Sequence, residues 1–219
     1  MILVLEAVLK PAEAAVLAAE AASLAFADGR ATAGRHARAV KANDQALPSP
    51  ARDAVLARAE AALRAHPVFA SAARPRAMTP LILSRYREGQ TYGLHVDDAL
   101  MGGVRTDLSF TLFLSDPSGY DGGALVIEDT LESRAFRLSA GDAILYPSTS
   151  LHRVAPVTRG VRLAIVGWVE SWLRDPRQRE ILFDLDRAVA EIHARDGHSA
   201  LFDTLAKTRS NLLRIWAGL

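Results

Sequence analysis

Cysteine is absent from the chain. That excludes disulfides, thiolate zinc sites, iron–sulfur clusters and cysteine nucleophiles. It fits a reducing cytoplasm, the location expected here. No sign of charge dominates: Lys plus Arg is 26 and Asp plus Glu is 25, a formal net charge of +1. That balance gives no reason to expect a polyanionic partner, so no nucleic acid is expected. No uninterrupted apolar run is long enough to span a bilayer, so no membrane is expected either. The N-terminus reads MILVLEAVLKPAEAAVLAAEAASLAF. An export signal would carry its positive charge before the apolar run. Here Glu6 interrupts the run and Lys10 follows it. The pattern predicts a short strand, Ile2 to Leu9, then an Ala-rich helix with Pro11 at its first position.

What is present suits one domain of ordinary size with an appendage: 219 residues, 50% hydrophobic and 23% charged. Three zones follow one another. Residues 1–75 read as a mainly helical N-terminal flank, in which Ala51 to His66 repeats Ala, Leu and Arg at helical spacing. Gly29 to Lys41 has no clear period and reads as an irregular or extended connection. Residues 76–174 are β-rich. Leu81 to Arg87 is a β-type run, and Leu108, Phe110, Leu112 and Leu114 alternate with Ser109, Thr111 and Ser115. Further short runs follow, separated by the glycine turns Asp121-Gly-Gly123, Ala140-Gly-Asp142 and Thr158-Arg-Gly160. Many short strands with such turns predict a sandwich or barrel. Residues 175–219 turn helical again. Asp175 and Ser199 are placed to cap two helices, with Pro176 at the first position and Gly197 as the break. A stripe of Leu201, Leu205, Leu212 and Trp216 needs a cover, the barrel or a second subunit, and a homodimer is favoured.

Tyr92-Gly-Leu-His95-Val-Asp97-Asp98 is the sharpest local feature. In an extended chain alternate side chains share a face, so His95 and Asp97 point the same way and can bind one ion. A His-x-Asp pair arises often by chance, so a third ligand must be sought. Of six histidines, His36 and His66 fall in the N-terminal zone, and His193 and His198 in the helical tail. His152 remains, at the start of a predicted strand, where the plainer role is a histidine bonded to backbone. Two histidines and one carboxylate without a thiolate form the facial triad of non-haem Fe(II) oxygenases; zinc is chemically possible with the same set. Arg162 lies in an otherwise apolar strand, on one face with Ala164, Val166 and Trp168. A buried guanidinium needs an anion and grips a carboxylate with two prongs; a structural ion pair is the plainer alternative. If Thr158 to Gly160 make a hairpin turn, His152 and Arg162 share a face, roughly 13 Å apart at about 3.3 Å per residue.

These stretches resemble a known family. Tyr86-Arg-Glu-Gly, Tyr92-Gly-Leu-His-Val-Asp, Arg105-Thr-Asp-Leu-Ser, Asp121-Gly-Gly, Gly141-Asp142, Leu145-Tyr-Pro, Ser150-Leu-His-Arg-Val and Arg162 are similar to those of bacterial PKHD-type hydroxylases. The tail Leu182-Phe-Asp-Leu-Asp and Asn211-Leu-Leu-Arg extends the resemblance over nearly the whole chain. These are Fe(II)/2-oxoglutarate dioxygenases, related to prolyl 4-hydroxylases. The resemblance implies an α+β fold with a double-stranded β-helix, or jelly-roll, core between N-terminal helices and a C-terminal helical hairpin. It implies that His95, Asp97 and His152 bind iron and act in catalysis, and that Arg162, helped by Tyr86, binds 2-oxoglutarate. O2 would be the second co-substrate and L-ascorbate the reductant that rescues oxidised iron. The reaction would turn 2-oxoglutarate into succinate and CO2 while hydroxylating a C–H bond of a peptide or protein residue, or of an iron-uptake-related small molecule. Two departures, Gly167 and Ala42, are expected to touch substrate fit and not the triad. The competing reading is a cupin-like metal-binding or sensing protein without turnover; a zinc or manganese cupin isomerase is a further enzyme alternative. Arg162 discriminates, because a plain metal-binding barrel has no need of a cation aimed into its core.

Overall fold

The computed structural model describes residues 1–32, 34, 38–129 and 131–217. His36 lies outside them. In chain order the elements are β1 (Leu3–Leu5), α1 (Pro11–Ala22), β2 (Phe26–Asp28), β3 (Lys41–Ala42), β4 (Asp44–Ala46), α2 (Pro50–Ala65), α3 (Pro67–Ala73), β5 (Pro75–Met78), β6 (Ile82–Tyr86) and β7 (Thr91–His95). Then come β8 (Leu100–Met101), β9 (Val104–Arg105), β10 (Leu108–Phe113), β11 (Tyr120–Gly122), β12 (Leu125–Glu128), β13 (Ser133–Phe136), β14 (Ala143–Pro147), β15 (His152–Val154), β16 (Val157–Gly160) and β17 (Arg162–Ser171). Helices α4 (Pro176–Asp196) and α5 (Ala200–Trp216) close the chain.

The strands form two facing antiparallel sheets. The major sheet runs β1-β14-β10-β17-β6-β4-β2, with β5 also paired to β17, and the minor sheet runs β13-β12-β15-β7-β3. Alternation along the strands decides what lies on each side. On one face of the major sheet, Leu83, Phe110, Leu112, Leu145, Leu163 and Ile165 pack under Leu17 of α1, Val55 and Leu63 of α2, Phe69 of α3 and Phe183 of α4. Burying each such side chain is worth roughly 1.5–3 kcal/mol over leaving it exposed. On the other face, Tyr86, Phe113, Ile144 and Tyr146 meet Leu125, Ile127 and Val154 of the minor sheet. This is the jelly-roll core, and with the flanking helices the fold is α+β.

The caps predicted at Asp175 and Ser199 form, and Ser49 makes a third. The side chains of Ser49, Asp175 and Ser199 accept from the backbone N–H groups of Arg52, Arg177 and Phe202. Pro50 and Pro176 begin their helices, where a missing N–H costs nothing, and Gly197 ends α4 at φ 63°. Asp186 of α4 takes both Arg74, at the end of α3, and Arg209 of α5, which fixes the tail to the N-terminal flank. Helix α5 has no fully buried residue. Leu201 stays half exposed, and Leu205, Leu212 and Trp216 are only partly covered.

Several expectations change. The first strand is three residues long, not eight, because Ala7 turns at φ 53° and donates its N–H to the Asp142 carboxylate. The first 75 residues are less helical than composition predicts, since β1, β2 and β4 join the major sheet and β3 the minor one. Thr158 to Gly160 are not a hairpin turn: they lie in β16, which pairs with β11, while β17 pairs with β10, β6 and β5. His152 and Arg162 therefore sit on opposite sheets and not along one hairpin. Gly167, expected to touch substrate fit, does line a cavity, while its missing side chain leaves room on the helix side of the sheet. An added Cβ would stand 2.6 Å from Leu81 and 2.7 Å from Phe110.

Candidate active site

The minor sheet brings the predicted triad together. β15 pairs with β7 so that His152 stands opposite His95. Asp97 follows two residues past the end of β7. One ligand atom from each of the three lies within 4.8 Å of the others. Nε2 of His95 is 4.0 Å, and Nε2 of His152 3.8 Å, from the Asp97 carboxylate. These are gaps and not hydrogen bonds. Nδ1 of His95 donates to the Gly93 carbonyl at 2.8 Å, and Nδ1 of His152 to the Ser150 carbonyl at 3.0 Å. A carbonyl only accepts, so each proton sits on Nδ1 and each Nε2 lone pair faces the gap. Burial, then the neighbouring His152, pulls the His95 pKa down to about 4, which keeps this imidazole neutral at neutral pH. The Ser109 hydroxyl donates to Asp97 Oδ2 at 2.6 Å and bonds Ser148 at 2.8 Å. That leaves Oδ1 open toward His95, while His152 faces Oδ2. The Tyr92 ring stacks on His95, centroids 3.7 Å apart.

The major sheet supplies the cation, beside Tyr86 of the cavity wall. Arg162 is 1% exposed and stands opposite Tyr86 in the ladder between β17 and β6. Its guanidinium carbon lies 5.3 Å from the Tyr86 ring centroid and 5.1 Å from that of Phe113. Its Nε and Nη2 have no hydrogen-bond partner, and no carboxylate of the described residues pairs with it. Gly123, at φ 62°, lets the side chain pass: an added Cβ would stand 3.1 Å from Arg162 Cδ. The structural ion pair is therefore not found. Burial raises the pKa of the Tyr86, Tyr92 and Tyr146 phenols, so all three keep their protons and can donate. A cavity of about 480 Å³ is lined by the triad, these three tyrosines, Lys41, Asn43, Thr111 and Trp168. Burial lowers the Lys41 pKa to about 8, with Asp97 opposing.

The donor set and the orphaned guanidinium fit a divalent iron and a carboxylate co-substrate. Three oxygen and nitrogen donors on one side of a cation, with no thiolate, are the set used by non-haem Fe(II) oxygenases. A buried Arg with unfilled donors suits a carboxylate.

Comparison with known proteins agrees. Residues 81–170 match the 2OG-Fe(II) oxygenase superfamily, and residues 177–218 match the PKHD-type hydroxylase C-terminal domain. A PKHD-type hydroxylase of Synechococcus elongatus is 49% identical over 99% of this chain and 100% of its own length. The chain belongs to the PKHD-type hydroxylase family. Another member, from Maricaulis maris, is 54% identical over 88% of each chain. Among solved structures, a Pseudomonas putida prolyl-4-hydroxylase shares the fold, with a TM-score of 0.54 and 21% identity over 78% of this chain and 92% of that one. A PKHD-type hydroxylase is a 2-oxoglutarate-dependent dioxygenase, and family membership implies Fe(II) and 2-oxoglutarate.

His66, His193 and His198 stand apart from this PKHD-type site. His66 caps α3 by accepting from the Phe69 N–H at 3.4 Å. His193 and His198 cluster with Phe202 at the end of the tail. Sequence reasoning missed Ser109, Ser148, Lys41, Asn43 and Tyr146 as site residues. Ser109 was legible as the polar half of an alternating strand; the structure shows that this half faces the cavity. Nothing local marks Lys41 or Asn43, because they are placed by strand pairings with partners about fifty and about forty residues on.

Proposed function

We propose that His95, Asp97 and His152 hold one Fe(II), and that Arg162, with Tyr86 beside it, holds the distal carboxylate of 2-oxoglutarate. The observation that carries this is Arg162, a buried guanidinium with unfilled donors facing the triad's sheet. Bound iron with its co-substrates supplies the oxidative chemistry that yields succinate and CO2 and hydroxylates a C–H bond. The chain supplies orientation. Ser109 fixes the Asp97 carboxylate, the backbone carbonyls fix both imidazoles, and Arg162 places the diacid at the far wall. The five-carbon diacid fills only part of the cavity and leaves room for the group to be hydroxylated. We assign that group to a peptide or protein residue or an iron-uptake-related small molecule. Ascorbate as reductant, a cytoplasmic setting that keeps iron ferrous, and a homodimer covering the α5 stripe belong to the same reading.

The test is succinate release under O2 with Fe(II) and ascorbate, which runs without the true substrate. Breaking a buried charge pair costs about 3–5 kcal/mol. Arg162→Ala is expected to raise the KM for 2-oxoglutarate by roughly two orders of magnitude or more. Arg162→Lys keeps the charge but not the planar fork and should fall between. A folded Arg162→Ala with unchanged 2-oxoglutarate dependence would remove the assignment.

A further inference from the structure

We propose that Asn43 is a further binding residue for the co-substrate, donating its side-chain amide to the distal carboxylate that Arg162 anchors. This rests on the reading of Arg162 given above. The strand register places it. β4 pairs with β6 so that Gln45 faces Ser84 and Asp44 faces Arg85. One residue further along that register, Asn43 stands level with Tyr86, and Tyr86 faces Arg162. Asn43, Tyr86 and Arg162 thus form one row across three neighbouring chains, spanning about 10 Å at the usual strand spacing. Asn43 and Tyr86 both line the cavity.

The amide itself shows that something belongs beside it. Asn43 is 2% exposed; Nδ2 and Oδ1 make no hydrogen bond of good geometry, although the Tyr86 phenol is close enough to interact with the side chain. A buried amide left unpaired is costly, and native chains rarely retain one without a ligand or water. Gly29 holds the Asn43 backbone and leaves room for its side chain. The Gly29 N–H donates to the Asn43 carbonyl at 2.8 Å, and a Cβ on Gly29 would stand 2.2 Å from Asn43 Oδ1. A carboxylate offers about four acceptor sites, and an Arg fork fills two of them. The Tyr86 phenol, kept protonated by burial, and the Asn43 amide are the neutral donors in the same row.

Binding of N-oxalylglycine, an inert analogue with both carboxylates, is measured by calorimetry on the Mn(II)-loaded protein. 2-Oxopentanoate, which lacks the distal carboxylate, is measured by competition. Asn43→Ala should weaken N-oxalylglycine about ten- to a hundredfold, as expected for a hydrogen bond to a charged group. Asn43→Asp should weaken it further through like-charge repulsion, and Asn43→Ser, which keeps a donor, less. The affinity for 2-oxopentanoate should not change in any of them. Equal weakening of both ligands would assign Asn43 a purely structural role and overturn the proposal. Unchanged N-oxalylglycine binding in Asn43→Ala, with loss in Arg162→Ala, would overturn it while sparing the Arg162 reading. No loss in either variant would sink both.

Discussion

The two faces of the major sheet use the same strands for opposite purposes. On β10, Leu108, Phe110 and Leu112 face the helices, while Ser109, Thr111 and Phe113 face the minor sheet. On β17, Leu163, Ile165 and Val169 lie on the helix side, and Arg162, Ala164, Val166 and Trp168 alternate onto the opposite side, where Val166 and Trp168 line the cavity. Both faces are buried, yet only the first is apolar. The polar residues of the second are not a solvated surface. They are held by one another, as Ser109 is by Asp97 and Ser148, or left with unfilled donors, as Arg162 is. A two-residue repeat can therefore mean core on one side and chemistry on the other.

Substitutions on each face should separate stability from chemistry. On the helix side, Leu112 is fully buried. Leu112→Ala should lose about 2–5 kcal/mol through the lost burial and the cavity left behind. Denaturant unfolding reads this, and the Fe(II) affinity of the folded fraction should stay at the wild-type value. A parallel fall in Fe(II) affinity would mean that the faces are coupled. On the cavity side, Ser109→Ala should do the reverse. It removes the hydroxyl that orients Asp97 and should cost roughly ten- to a hundredfold in metal affinity. Its unfolding midpoint should move far less than that of Leu112→Ala, and a larger shift would place Ser109 in the core and not in the site.

Much of the site was legible in the sequence because its signals are local. His95 and Asp97 sit two residues apart where a strand ends, and His152 was the one histidine left in the β zone. Arg162 stood out as a charge in an apolar run. What could not be read was the pairing of strands distant in sequence. The short link between His152 and Arg162 suggested a hairpin. Instead the chain crosses from one sheet to the other through β16, whose partner β11 comes from an earlier loop. The same limit hid Asn43, since its place beside Tyr86 exists only once β4 has paired with β6. The caps at Ser49, Asp175 and Ser199 depend on near neighbours alone, and Asp175 and Ser199 could be placed from sequence.

The central claim is that one iron site and one diacid site face each other across this cavity. Anaerobic titration with Fe(II) and 2-oxoglutarate tests it most directly, by following the weak visible charge-transfer band of the chelate. The account predicts a band that needs both components, saturates at one of each per chain, and is lost in His95→Ala, Asp97→Ala and His152→Ala, each still folded. No band in the wild-type protein with both components bound, or an undiminished band in any one of the three variants, would contradict it.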